Sequence, residues 1–435
     1  MKEVVILKKY CDENVYEATK ERLDYIFNEF EEVCVAFSGG KDSGICLNLA
    51  LDYAKENKLL NKLSVYHLDY EAQYQFTTDY VTETFLNLPK EVKKYWLCLP
   101  IKAQCSTSMY QNHWTPWNSE EQDLWVRELP KVDYIITESN CEFNYDDWDY
   151  NVQNNFCNWI GKNKKVCVIV GIRSQESLNR HAAITSENKV NQYNGISWLT
   201  NKKDYTVAYP IYDWETEDIW VCNSKFGYTY NKVYDLMFKA GLSVHQMRVA
   251  SPFNDYAQDS LKLYKVLDPN NWGKMISRVN GVNFTGLYGG TTAMGWKSIK
   301  KPSHLTWKEY MYFLLNTLPE DTKQNYLNKL EASKKSWRVG GARDEETIKE
   351  LLEEKAPVIL TGKTNNRSKH KKQVIQFEDY LDDTTVTDFK SIPTYKRMCI
   401  CIMKNDTTCK YMGFAQTKSE IQKRREAIRK YGEIL

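Results

Sequence analysis

Val33-Cys-Val-Ala-Phe37 runs straight into Ser38-Gly39-Gly40-Lys41-Asp42-Ser43, and the chain from there to Lys58 carries Ile45, Leu47, Leu49 and Leu51 among Asn and Ala. The first five residues are too few for a helix and rich in β-formers, so they read as a short buried strand. The stretch to Lys58 reads as a helix. Leu63-Ser-Val-Tyr-His-Leu68, ending at Asp69, reads as a second strand. Strand, helix and strand within about 40 residues make a βαβ unit with a right-handed crossover.

The six-residue loop in that unit has the composition of an anion site. At a strand-to-helix junction, the free N–H groups of the first helical turn and the helix dipole attract negative charge. Gly39 and Gly40 remove side-chain bulk, so backbone can approach a pyrophosphate and use positive φ. Ser38 and Ser43 offer hydroxyls, and Lys41 offers charge to phosphate oxygens. Asp42 lies in the first helical turn, where a carboxylate suits the dipole and can order the loop or meet the Mg²⁺ of Mg–ATP. The spacing is not that of a Walker A loop, which needs four residues between its Gly and Gly-Lys-Ser/Thr. Nor is it the dinucleotide fingerprint.

Outward from this unit, residues 12–31 show helical spacing, with Leu23, Ile26, Phe27 and Phe30 recurring every three or four positions. Val166-Cys-Val-Ile-Val170 is apolar throughout, as a central parallel strand requires. It leads into Gly171-Ile-Arg173-Ser-Gln-Glu176-Ser177-Leu-Asn-Arg180. Helices are expected over 213–221, 229–240, 255–267, 306–318 and 320–336. Gly340-Gly341 and the stretch from Gly362 read as loops. Val374–Phe377 and Met398–Met403 read as strands of a small α+β region. A Trp-rich stretch at about 102–160 reads as an elaboration of the sheet.

Hydrophobic residues make up 42% of the 435 and charged residues 27%, which excludes wholesale disorder. No apolar run reaches 18 residues, so no transmembrane helix is expected. The apolar stretch near Met1 is too short for a signal-peptide core. Twelve scattered cysteines fit reduced thiols in a cytoplasm. The formal charge of +2 excludes a uniformly basic coat. It conceals a gradient: residues 301–435 hold 26 Lys+Arg against 19 Asp+Glu, a net +7, leaving −5 for residues 1–300. Lys369-His370-Lys371-Lys372 and Lys423-Arg424-Arg425 sharpen it, and a basic helix is expected over 417–430. Such clusters are solvated faces or contacts with nucleic acid or an acidic partner.

The loop resembles the PP-loop of the ATP pyrophosphatases of the HUP class. Within that class the chain is similar to the phosphoadenosine phosphosulfate (PAPS) reductase and sulfate adenylyltransferase branch. Asp69 stands where that branch has an Asp at the nucleotide edge, and Gly171 to Arg180 resembles its Gly-x-Arg-x-x-Glu/Gln-Ser-x-x-Arg segment. Pro210-Ile-Tyr-Asp-Trp214-Glu-Thr-Glu-Asp218-Ile-Trp220 and Gly227-Tyr-Thr-Tyr-Asn231-Lys-Val-Tyr234-Asp resemble its following segments, with Trp214 and Trp220 read as packing residues. The longer layout, with Tyr395-Lys-Arg-Met-Cys399-Ile-Cys401 through Cys409 to Gly413-Phe, resembles the DUF3440 proteins, including the immunoglobulin-binding regulator A group.

The resemblance implies a HUP-like (adenine nucleotide alpha hydrolase-like) α/β fold. It has a parallel sheet with helices on both faces, plus helical and small α+β C-terminal regions. The corresponding domains are 1–250, 251–340 and 341–435. It implies cleavage of ATP to AMP and pyrophosphate, as an ATP pyrophosphatase or adenylyltransferase (a transferase) with an unidentified acceptor. The implied ligands are ATP, or PAPS/APS, with Mg²⁺. Lys41, Asp42 and Arg173 take the catalytic positions. Ser38, Gly39, Gly40, Ser43, Asp69, Glu176, Ser177 and Arg180 join them in nucleotide and phosphate binding.

Two alternatives stay open. One is sulfonucleotide binding or reduction with an external thiol, because no Cys here is followed by Gly as in the reductases' nucleophile segment. The other is a nucleotide-sensing regulatory or DNA-associated module. It would act with a ParB-like nuclease-domain partner, or with nucleic acid through the basic C-terminal region. Cys399, Cys401 and Cys409 read as small buried strand thiols before metal ligands. Cys98, Cys105 and His113 form a looser group. His67 reads as a packed strand residue before a general base, and His181 as a lone His near Arg180. Trp114-Thr-Pro-Trp117 and Tyr145-Asp-Asp-Trp148 read as core or lid before base-stacking platforms.

Overall fold

The computed structural model describes residues 12–108, 110–176, 180, 184, 191–249, 251–254, 261–288, 299–365 and 372–412. The chain divides into two compact units. The first comprises the described parts of Met1–Gln104, Trp114–Pro252 and Leu263–Val279, and the second those of Cys105–His113, Phe253–Lys262 and Asn280–Leu435.

The first unit is built on an eight-stranded sheet. Its strands are β1 (Glu32–Ala36), β2 (Leu63–Leu68), β3 (Lys93–Leu97), β6 (Ile135–Ile136), β7 (Val166–Ile169), β8 (Gln192–Tyr193), β9 (Ile196–Asn201) and β10 (Thr206–Ala208). β4 (Ala103–Ser108) and β5 (Gln111–Trp114) pair apart from it as a two-stranded ribbon. The order is β6-β3-β2-β1-β7-β10-β9-β8. The six strands from β6 to β10 run parallel, and β9 and β8 extend the edge antiparallel.

Alternate residues of the central strands feed two cores. Val33, Val35 and Phe37 face α1 (Val15–Glu29), α2 (Lys41–Glu56) and α3 (Gln75–Asn87). Cys34 and Val168 face Val152, Phe156 and Ile160 of α4 (Asp149–Gly161). Burial on both faces is why β1, β2 and β7 are apolar at nearly every position. The last part of the Trp-rich stretch is therefore α4 itself, a helix packed on one face of the central strands.

From β1 the chain steps to β2 on one side and, later, to β7 on the other. The edge between β1 and β7 is thus the point where strand order reverses. Open α/β sheets bind ligands beyond the carboxyl ends of the strands at such a point. After the sheet come α5 (Thr216–Phe226), α6 (Val233–Lys239) and α7 (Pro269–Arg278).

The second unit carries a three-stranded antiparallel sheet of β11 (Gly341–Arg343), β13 (Lys372–Gln376) and β12 (Ile359–Asn365). With it are α8 (Trp307–Asn316), α9 (Glu320–Val339), α10 (Glu345–Glu353) and α11 (Tyr395–Met403). Two expectations are corrected here. Gly341 and Gly362 lie in strands, and the register shift between Leu360 and Thr364 accommodates Gly362 at φ +68° as a bulge. Met398–Met403 is helical, because the apolar pattern begins earlier than the two-residue alternation suggested. Tyr395, Met398, Cys399 and Ile402 share one buried face, and Thr394 caps the helix by accepting from the Arg397 N–H.

Candidate functional site

The loop after β1 is tied down by its own serines. The Ser38 and Ser43 hydroxyls lie 3.0 Å apart, Ser38 N–H donates to Ser43 Oγ at 3.2 Å, and Ser43 Oγ donates to the Gly40 carbonyl at 3.1 Å. Gly39 takes φ +73°, and a Cβ there would stand 2.8 Å from Val81 Cγ2. Glycine is required on both counts. From outside, Asn231 Nδ2 donates to the Gly39 carbonyl at 3.0 Å and to Thr77 Oγ1 at 2.8 Å. The Lys41 N–H donates to the Tyr234 hydroxyl at 3.0 Å.

The loop after β7 meets the same helix end. A Cβ at Gly171 would lie 2.8 Å from the Asp42 carbonyl carbon and 2.9 Å from Ser43 N, so only glycine lets the two loops touch. Arg173, 3% exposed, donates from Nε to Asp42 Oδ1 at 2.6 Å and from a terminal nitrogen to Gln175 Oε1 at 3.0 Å. Gln175 Oε1 also accepts from the Thr216 N–H at 3.0 Å, which fixes Arg173 to the start of α5. Lys41 Nζ donates to the other Asp42 oxygen at 3.0 Å. Asp42 is therefore clamped between two buried cations.

Glu176 extends the chain of charge. It lies 3.8 Å from Arg173 and pairs with Arg180, which is largely exposed. Burial pushes the Lys41 pKa down from its ordinary value, Asp42 opposes that, and the charges of Arg173 and Arg248 add to the lowering.

Ser38, Gly39, Gly40, Lys41, Asp42, Ser43, Arg173, Glu176 and Arg180 thus occupy two loops at the sheet's switch point. Ser177 and His181 lie outside the described residues, as do 413–435 with the basic helix expected over 417–430. Asp69 sits at the end of β2, fully buried. Its oxygens accept from Trp96 Nε1 at 2.7 Å, from the Glu71 N–H at 2.8 Å and from Arg127. Next to it, fully buried Glu71 accepts from Arg278 at 3.0 and 3.2 Å, from the Trp117 N–H at 2.8 Å and from the Val126 N–H at 2.9 Å. Arg278 also reaches Glu121 at 2.6 Å.

The described residues do not form a resident metal site. Both Asp42 oxygens are taken by cations, and among the described residues no three His, Cys, Asp or Glu side chains gather to hold an ion. His67 donates its Nδ1–H to the Phe37 carbonyl at 2.8 Å, and burial pushes its pKa down. It is a packed strand residue. Trp114 and Trp117 are buried, with Trp117 Nε1 donating to the Asp69 carbonyl at 2.9 Å. Trp214 Nε1 donates to Thr19 Oγ1 at 2.9 Å within the core. Among the described residues no helix is long and apolar enough to cross a membrane.

Reading the sequence alone missed the loop contacts of Asn231, Tyr234, Gly171 and Gln175, and the charge of Arg248. All four of those residues stood in segments already quoted for other reasons. Nothing local marks a tyrosine as the partner of a backbone N–H 193 positions away.

Residues 32–240 match the phosphoadenosine phosphosulfate reductase domain, and residues 241–423 match a domain of unknown function, DUF3440. The chain is 32% identical over 414 residues to the uncharacterized protein YbdN of Escherichia coli strain K12, covering 94% of this chain and 92% of that one. A PAPS reductase from Candida auris, solved as a phosphate complex, aligns at 13% identity and TM-score 0.28 over 53% of this chain and 93% of its own. The Candida glabrata FMN adenylyltransferase with FAD and inorganic pyrophosphate aligns at 14% identity and TM-score 0.30 over 51% of this chain. The match spans 58% of that enzyme, under two thirds of its length.

Proposed function

The chain belongs to the family of YbdN, with a phosphoadenosine phosphosulfate reductase domain followed by a DUF3440 domain, and we propose that it binds an adenine nucleotide by its phosphates at the loop after β1 and cleaves ATP to AMP and pyrophosphate. One observation carries this reading: an unbalanced charge at the switch point. Among the described residues, three cations (Lys41, Arg173 and Arg180) meet two carboxylates (Asp42 and Glu176), and the charge of a fourth, Arg248, reaches Lys41. Buried charge is costly unless matched. The surplus of two positive charges suits phosphate oxygens, and the planar guanidinium of Arg173 suits them geometrically.

In the proposed reaction an oxyanion of the acceptor attacks the α-phosphorus. A new P–O bond forms as the bond from the α-phosphorus to the α,β-bridging oxygen breaks, and the electron pair leaves on pyrophosphate. Lys41 and Arg173 neutralise charge on the departing group, and the glycine loop holds the chain of phosphates in line. Asp69 contributes by fixing the end of β2, since its carboxylate is spent on Trp96, Arg127 and the Glu71 N–H.

The domain match favours PAPS as a second ligand. A reductive attack by one of the chain's own described thiols is not supported. All eleven described cysteines but Cys141 are buried, and burial pushes up those of Cys34, Cys46, Cys98 and Cys167. Thiolate, the nucleophilic form, is thereby disfavoured. The test is mass-spectrometric product analysis with ATP and with PAPS, alone and with cell lysate. AMP and pyrophosphate that vanish in Lys41→Ala support the proposal, sulfite from PAPS supports the second ligand, and undiminished turnover by Lys41→Ala refutes the role of the loop.

A further inference from the structure

Beside the phosphate loop lies a cleft of about 390 Å³ lined by Trp220, Tyr230, Tyr234, Phe238, Lys239 and Met247, with Asp235 and Val244 completing it. Its volume is at the lower end of the range that holds small organic ligands. The rings stand in two crossed walls. Trp220 meets Tyr230 at 5.4 Å and 86°, and Tyr234 at 5.5 Å and 77°. Two features of this wall are unexplained by folding. Phe238 is 63% exposed at the rim, and the buried indole N–H of Trp220 has no hydrogen-bond partner among the described residues. Large aromatic surface left open, next to a donor left unpaired, is characteristic of a surface awaiting a ligand.

The cleft shares its wall with the phosphate loop. Tyr234 lines it and also holds the Lys41 N–H. Met247 lines it, and its neighbour Arg248 is close enough for its charge to be felt at Lys41. A ligand seated here therefore ends beside the phosphate loop.

We propose that this cleft receives a planar aromatic ring carried by the acceptor, neutral or anionic, and so sets the substrate class of the adenylation. The inference rests on the nucleotide reading above. Crossed aromatic walls favour a flat ring through stacked and edge-to-face contacts. They would also suit an organic cation, but the charges here oppose one. Asp235 already accepts from the Tyr230 hydroxyl at 2.9 Å and faces Lys232 at 3.9 Å. Lys232 Nζ itself sits 4.1 Å from the Tyr230 ring centre, and Lys239 and Arg248 add positive charge. The attacking group is then an oxygen on the ring or its substituent, held toward the phosphates by the same cations.

The test is calorimetric titration of the full-length protein with 2-naphthoate, with cyclohexanecarboxylate and choline as the non-planar and cationic controls. Saturable naphthoate binding is expected. It should weaken at least tenfold in Trp220→Leu and in Phe238→Ala, whose exposed side chain can be removed without opening the core, and it should persist in Lys41→Ala. Naphthoate no better than cyclohexanecarboxylate, saturation by choline instead, or indifference to Phe238→Ala overturns the inference. If naphthoate behaves as expected while Lys41→Ala leaves ATP affinity intact, the nucleotide reading fails and the aromatic cleft stands as a site of another activity.

Discussion

Replacing Asp42 by Asn separates two roles that a carboxylate at this position can have. Asp42 holds Lys41 at 3.0 Å and Arg173 at 2.6 Å, and those cations are only 7% and 3% exposed at the side chain. Removing one partner of a buried pair costs about 3–5 kcal/mol. Asp42 is 16% exposed, and Glu176 remains 3.8 Å from Arg173, so about 2–3 kcal/mol is the reasonable share here. The freed cations then offer their charge to any phosphate that arrives. If pyrophosphate recovers only half of that loss, about 1.4 kcal/mol, its affinity rises about tenfold. The assay is calorimetric titration with pyrophosphate in EDTA, alongside the ligand-induced shift in melting temperature. The shift should exceed that of the wild type because tighter binding adds more stabilisation at the same pyrophosphate concentration. A two-unit chain need not melt in one step, so the affinity is the primary reading. Equal or weaker metal-free binding by Asp42→Asn refutes Asp42 as an internal counter-ion. Weakening seen only with Mg²⁺ would assign it to the metal instead.

Three further outcomes follow from the same geometry. Gly171→Ala places a methyl 2.8 Å from Asp42 backbone. An overpacking cost of about 1–3 kcal/mol should displace the two loops and weaken pyrophosphate binding, whereas Gly273→Ala, with nothing within 4 Å, should leave it unchanged by titration. Arg278→Met strands fully buried Glu71 and should cost about 3–5 kcal/mol in urea unfolding. Adding Glu71→Gln should return part of that, and no recovery would contradict the pairing. Because the Lys41 pKa is lowered in the fold, pyrophosphate affinity should fall with rising pH before an ordinary lysine would titrate at 10.5. The fold itself gains stability over that window, since the unfolded chain binds the extra proton there. Affinity and stability thus move in opposite senses, and Lys41→Ala should flatten both.

The parts of the fold that announced themselves were those whose constraints are local. β1, the glycine loop, α2, β2 and β7 follow from apolar runs and a strand-to-helix junction, and each lies within a residue or two of its expected bounds. What escaped was set by distant partners. β8, β9 and β10 are short and partly polar, and they exist because β7 offers an edge on which to add. Met398–Met403 alternates like a strand when read alone, yet helical spacing from the Thr394 cap prevails once Trp307 and Met311 supply an apolar face to pack on. At the site, the two segments that meet, Ser38–Ser43 and the stretch from Gly171, were legible from the motif. Those that hold them in place, Asn231, Tyr234 and Gln175, depend on contacts across 40 to almost 200 positions.

The acidic first 300 residues hold two different arrangements of charged side chains. Around Asp69, two arginines (Arg127 and Arg278) meet three carboxylates (Asp69, Glu71 and Glu121), and the innermost of these accept from indole or backbone N–H groups as well. That network is closed: every inner oxygen is spent, so it can brace the end of β2 but has little left to give a ligand. Around the glycine loop the balance among the described residues runs the other way, with more cations than carboxylates and a backbone held open at Gly39 and Gly171 by the absence of a side chain. An acidic first 300 residues therefore do not argue against an anion site, because acids at the brace and cations at the loop are separately accounted for. The same contrast predicts how each cluster answers to salt. The buried brace should be nearly insensitive to it, whereas pyrophosphate affinity, resting partly on exposed Arg180 and Arg248, should drop as ionic strength rises through 0.1 M, where screening reaches about 10 Å. Affinity flat in salt would place the binding charge on Lys41 and Arg173 alone and remove the outer arginines from the site.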